Sequence, residues 1–216
     1  EWAKRLETPI LQKVSIDNLY FEIDSKFNST KKISPADVDI YANKVTDNKH
    51  MDEIADLMQK LRTTEEATNL FDSTQHALIR TYIENSNYDS LVQVLNHRSE
   101  YGVFLDPYTA NILLDQLIKE KNFKFGARFA TLLALQEDFP NPITNWMSIY
   151  TCYKFLGNLE PFDDLVVAPE PEADSKTKKK KQDEIKVRVK FLRNPFFDDH
   201  FDLKSSNHLV GKTLLY

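Results

Sequence analysis

The chain has 216 residues, 41% of them hydrophobic, with 14 Phe and 9 Tyr; that is ample material for a packed core and too apolar for a chain disordered throughout. Its 4 Gly are too few for a β-barrel, a Gly-rich phosphate loop or a dinucleotide-binding turn, and a net charge of −5 disfavours a protein held to nucleic acid by overall charge. A single cysteine, Cys152, excludes an internal disulfide framework, and no apolar run approaches the roughly 20 residues of a membrane span. A soluble all-α protein follows as the expectation, with no membrane partner.

The first residues lack the Arg-rich, acid-poor composition of a transit peptide, so any targeting segment is expected to be removed or to lie outside the sequence given. Residues 10 to 28 predict a leading helix, with Ile16, Leu19, Tyr20, Ile23 and Phe27 at helical spacing. Ser34-Pro35 followed by Asp37 predicts a capped helix start. Ile40, Tyr41 and Val45 then belong to one helix and Met51, Ile54, Ala55 and Met58 to a second.

From there the chain repeats itself at an offset of 35. Leu78 and Ile79 fall on Leu113 and Leu114, Tyr82 and Ile83 on Leu117 and Ile118, Asn87-Tyr88 on Asn122-Phe123, Val92 on Ala127, Leu95 on Ala130, and Phe104 on Phe139. Each unit reads as a helical hairpin, because one apolar stripe (113, 114, 117, 118) is followed after "KEKN" by a second (Phe123, Ala127, Ala130, Ala134). Asp106-Pro107 and Asn141-Pro142 are helix starts: the Asp or Asn side chain accepts from free amides, and Pro fits the position that needs no amide proton. Phe104 and Phe139 can staple the entering chain. The Ser34-Pro35 unit precedes the next one by about 37. "ITNWMSIYTCYKFLGN" supplies a further first helix, with Gly157-Asn158 where a turn is expected. Three full hairpins and two partial ones result, an α-solenoid over residues 1–164.

Past Asp164 the pattern stops. Residues 165–184, with "APEPEADSKTKKKKQDE", predict a disordered acidic and Lys-rich linker. Residues 185–216 then predict a short extended segment, in which Ile185, Val187, Val189 and Phe191 alternate with Lys186, Arg188 and Lys190, an aromatic loop "NPFFDDHFD", and a helix restarting near Asn207 that ends uncapped at Tyr216.

No catalytic constellation emerges. "GKT" at Gly211 to Thr213 lacks the glycine a phosphate loop needs five positions earlier, where Ser206 stands. Asp198, Asp199, His200 and Asp202 read as a solvated loop, since nothing completes a ligand set. Cys152 sits at an apolar helical position, which suits a packed thiol. Asn28-Ser29-Thr30 matches a glycosylation acceptor by chance. The lysines 178 to 181 read as a solvated tract. Lys186, Arg188, Lys190 and Arg193 are better candidates for RNA phosphates, because a strand sets the first three at even spacing on one side. Lys119, Lys121 and Lys124 form a second basic patch. No metal, cofactor or small-molecule substrate is expected.

None of the units shows the Trp-x-x-Leu-Gly-x-x-Tyr pattern of tetratricopeptide repeats. "DPYTANILLDQLIKEKNFKFGARFATLLA" instead resembles the pentatricopeptide repeat, most clearly over residues 72 to 141. That resemblance implies single-stranded RNA binding in which a base is read by a residue early in the first helix together with one at the junction to the next unit. The matching positions are His76 with Asp106 and Asn111 with Asn141; the alternative is that Asp106 and Asn141 are caps and nothing more. "EYGVFLDPYTANILLDQLIKEKNFKFGARFATLLALQEDF" further resembles the pentatricopeptide-type proteins of the mitochondrial small ribosomal subunit, over about residues 75 to 160. This resemblance implies a non-catalytic ribosomal component in the mitochondrial matrix, in contact with small-subunit ribosomal RNA and neighbouring ribosomal proteins and supporting translation. Two other classes stay open: a free pentatricopeptide factor for organelle transcripts, and a protein-binding helical scaffold without RNA.

Overall fold

The computed structural model describes residues 2–136, 140–158 and 206–215, and every regular element among them is helical. The predicted linker, the extended segment and the 198–202 cluster lie outside the described residues. Two compact units are formed, one up to Thr109 and one from Ala110 onward.

In the first unit a 3-10 helix over Trp2–Glu7 leads into α1 (Pro9–Lys13) and α2 (Ile16–Thr30). A single leading helix over 10–28 is therefore not formed. Val14 and Ser15 are both extended, with ψ of 131° and 126°, so the chain leaves one helix and restarts the next with Asp17 in its first turn, where the helix dipole favours a carboxylate. The break is fixed from outside as well: the Lys44 ammonium donates to the Leu11 carbonyl at 2.6 Å, satisfying one of the end carbonyls of α1.

Helix α3 (Pro35–Lys44) starts as its sequence dictates, the Ser34 hydroxyl accepting from the Asp37 amide at 3.4 Å. After a 3-10 turn over Asn48–His50 come α4 (Met51–Arg62), a second 3-10 stretch (Glu65–Asn69), α5 (Asp72–Glu84), α6 (Tyr88–Asn96) and α7 (Arg98–Tyr101). Helix α3 packs against α4 and α5, α2 against α3 and α4, α4 against α7, and α5 against α6. Their shared core is Tyr41, Ala42, Ile54, Leu57, Met58, Leu61, Leu78, Ile79 and Leu91, all fully buried; each Leu, Ile or Met of this kind contributes about 1.5–3 kcal/mol. A polar strut ties α2 to α4: Lys60 bridges Asp24 and Asp56, and the Tyr20 hydroxyl donates to Asp56 at 3.0 Å.

Helix α8 (Pro107–Lys119) begins in the first unit and runs on into the second. There α9 (Phe123–Leu135) packs against α10 (Pro142–Asn158), and α11 (Ser206–Leu215) against both, around Ala127, Ala130, Cys152, Phe155 and Val210. Gly126 allows the close approach of α9 to α10, since a Cβ there would stand 2.9 Å from Thr151 Cγ2. Burial pushes the Cys152 thiol up to about 12, as suits a packed side chain. Gly157 and Asn158 continue α10 instead of turning. Gly211 to Thr213 lie inside α11, with the Thr213 hydroxyl donating to the Leu209 carbonyl at 2.9 Å, which removes any loop able to cradle a phosphate.

The sequence repeat is also a repeat of backbone geometry. Ser86 and Lys121, 35 residues apart, are both left-handed, with φ of 53° and 57°. The following amides close the same helix-ending motif, Asn87 donating to the Tyr82 carbonyl at 3.0 Å and Asn122 to the Leu117 carbonyl at 2.9 Å. Asn87 and Asn122 then cap α6 and α9 by accepting from the amides of Ser90 and Phe125.

Candidate nucleic-acid interface

The helix starts bring the predicted site residues together. Asp106 Oδ1 accepts from the Thr109 amide at 2.9 Å and from its hydroxyl, which caps α8, while Oδ2 meets His76 Nε2 at 2.9 Å. Burial pushes the Asp106 carboxyl up, but the bonds from Thr109 and His76 outweigh it and hold the group below its ordinary value. His76 and Asp106, thirty residues apart, thus share one site in the first unit.

In the second unit Asn141 Oδ1 accepts from the amides of Ile143 (2.9 Å) and Thr144 (3.3 Å), and Asn111 Oδ1 accepts from the Thr144 hydroxyl at 2.8 Å. Thr144 is thus the shared neighbour of Asn111 and Asn141. A third instance occurs at Asp39, whose Oδ1 accepts from the hydroxyls of Ser73 (2.6 Å) and Thr74 (2.7 Å) at the start of α5. One rule covers all three: the side chain five positions past a helix start (Asp39, His76, Asn111) binds the beginning of the next first helix. Asp39 was accessible to sequence reasoning through the offset of 37, which aligns it with His76.

Around His76 the first unit builds a line of rings and cations that sequence reasoning missed. The Tyr108 ring lies 5.1 Å from His76 and is 50% exposed; Arg80 Nη1 donates to the Tyr108 hydroxyl at 2.9 Å. The Arg80 guanidinium lies 4.5 Å from the Trp2 ring, which also carries Arg5 at 3.6 Å. Arg5 is anchored in turn by donating to the carbonyls of Asn43 and Val45. No periodicity marks Arg80, whose counterparts at the two offsets are Asn43 and Asp115.

Of the basic candidates, Lys119 is exposed and pairs with Asp115 one turn earlier, Lys121 occupies the left-handed turn and is exposed, and Lys124 lies partly buried in the first turn of α9. Lys186, Arg188, Lys190 and Arg193 lie outside the described residues.

The sequence model of one protein family, described as mitochondrial 28S ribosomal protein S27, matches residues 1–216. The chain belongs to that family. It is accordingly a component of the small subunit of the mitochondrial ribosome, located in the matrix and associated there with other components of that subunit. S27 membership places it among structural ribosomal proteins.

Proposed function

We propose that the protein is an array of pentatricopeptide-type helical hairpins that contacts small-subunit ribosomal RNA and neighbouring ribosomal proteins and so supports mitochondrial translation, without catalysis. The observation that carries the RNA contact is the line Tyr108–Arg80–Trp2–Arg5 in the first unit. An exposed ring is a stacking platform for an unpaired base, with about 1–3 kcal/mol per stacked base, and the Arg80 guanidinium beside the Tyr108 ring suits phosphate oxygens. Lys121 and Lys124, with Lys186, Arg188, Lys190 and Arg193, are further phosphate contacts in this reading, adding affinity but no sequence preference.

Base-by-base reading is the weaker variant. The groups that would read a base at His76 and Asp106 are already bonded to each other and to Thr109, and those of Asn111 and Asn141 to Thr144 and the amides of α10. Engaging a base there would first break those bonds and uncap a helix, at about 1 kcal/mol. Recognition by shape and stacking needs no such opening.

The test is the double variant Arg80→Glu with Tyr108→Ala in the full-length protein in mitochondria. Small-subunit ribosomal RNA recovered with the protein should fall while helicity is unchanged. Undiminished RNA recovery would refute the assignment.

A further inference from the structure

The second unit exposes an apolar face that its own repeat pattern marks as built to be covered. The position eight past the helix start is apolar and fully buried in α3, α5 and α8, as Ala42, Ile79 and Leu114. In α10 the same position is Ile149, still apolar but 43% exposed. Trp146 and Tyr153, on the same helical face, are 70% and 69% exposed, and with Ile118, Met147 and Tyr150 they line an open groove of about 470 Å³. A contiguous patch of Trp, Tyr, Met and Ile is the composition of a protein interface core.

Two observations identify the occupant. At the position five past the start, Asp39, His76 and Asn111 each make a polar lock with the start of the next first helix; at this fourth start the residue is Trp146, 70% exposed, a large, stiff anchor of the kind that dominates binding between separate proteins. The α10 side of the groove carries one sign of charge. Helix α10 contains no carboxylate, and Lys154 stands 5.6 Å from the Tyr150 ring, although the whole chain is net acidic. Tyr150 is held in place by the edge of Phe123 at 6.1 Å, so less freedom is lost when a partner arrives.

We propose that the groove on α10 is a docking site for an amphipathic helix of a neighbouring small-subunit protein, one with an apolar stripe flanked by acidic side chains. The proposal rests on the ribosomal assignment and deepens it by naming a protein contact face apart from the RNA line. Ile149 is the residue such a helix buries, and Trp146 and Tyr153 are its anchors.

The experiment uses full-length protein assembled into small subunits in mitochondria, with a benzophenone amino acid in place of Ile149, irradiation, and identification of the crosslinked peptide. The expected result is a peptide from another small-subunit protein that carries an apolar helical stripe with Asp or Glu beside it. Its yield should fall at least about tenfold with Trp146→Glu and Tyr153→Glu, both exposed enough to leave the fold intact. A crosslink to ribosomal RNA, to a second copy or within the same chain would overturn the docking site, as would a yield unchanged by the two substitutions. Sedimentation separates the two levels: a protein that travels with the small subunit but crosslinks elsewhere loses only the docking site, whereas one that does not travel with the subunit loses the assignment beneath it.

Discussion

Replacing Asp106 tests how the helix joints are held, because this one carboxylate both caps α8 and pairs with His76. Asp106→Ala removes the cap, at about 1 kcal/mol, and a half-exposed pair with His76 worth about 0.5 kcal/mol, for a loss of about 1.5 kcal/mol. Asp106→Asn keeps the cap, as Asn141 does at the next start, and loses only the charge facing His76, at about 0.5 kcal/mol. Thermal melts followed by circular dichroism should place the midpoint of the Ala variant about 3–6 °C below wild type and that of the Asn variant about 1–2 °C below. The sign of the pH dependence follows from the folded carboxyl lying below its ordinary 3.8: its stabilisation is fully present above that value and disappears as pH falls through the lower folded value. The margin of wild type over Asp106→Asn should therefore shrink once pH falls below 3.8 and vanish only below the lower folded value. An Ala variant within about 0.3 kcal/mol of wild type, or an Asn variant as damaged as the Ala variant, would show that the cap does not hold this joint.

Three further outcomes follow from the packing. Gly126→Ala should cost about 1 kcal/mol net, because overpacking against Thr151 outweighs the helix propensity gained, and adding Thr151→Ser should restore only part of it, removing the Cγ2 at 2.9 Å but keeping the Cβ at 3.0 Å from the new Cβ; denaturant midpoints of the single and double variants decide it. Ser86→Gly and Lys121→Gly should each raise stability by about 0.5–1 kcal/mol and by similar amounts, since both relieve a side chain held at positive φ in equivalent turns; a loss in either melt would contradict the equivalence. Cys152, its thiol pushed up to about 12 by burial, should resist a thiol reagent at pH 8 in the native protein and react in step with urea unfolding. Rapid labelling without denaturant would contradict that packing.

What could be read in the sequence was what local chemistry determines. Ser34-Pro35, Asp106-Pro107 and Asn141-Pro142 announce helix starts because cap and first turn lie within four residues of each other, and the stripes at 78–83 and 113–117 show their burial through spacing alone. The turns at Ser86 and Lys121 were visible as a recurrence, but their left-handed residues are not Gly and carry no signal of their own. The break at Val14-Ser15 was hidden because the apolar spacing from Ile16 onward continues smoothly from the residues before it, and part of what fixes the break is a bond from the distant Lys44. At the site, His76 with Asp106 followed from position in the repeat, whereas Arg80 reaches Tyr108 across 28 residues and Trp2 across more, a proximity only the fold supplies. The GKT triplet shows the opposite error, a motif whose chemistry needs a loop and whose residues lie in a helix.

The proposed contact of this small-subunit component with its ribosomal RNA runs through the ring and cation line of the first unit. Ultraviolet crosslinking of the full-length protein in mitochondria, with sequencing of the attached RNA and mapping of the modified peptide, tests it most directly. One dominant peak in small-subunit ribosomal RNA is expected, joined to a peptide containing Tyr108 or Trp2. Peaks spread over messenger or transfer RNAs, or a protein that travels with the small subunit yet gives no adduct at those residues, would contradict it.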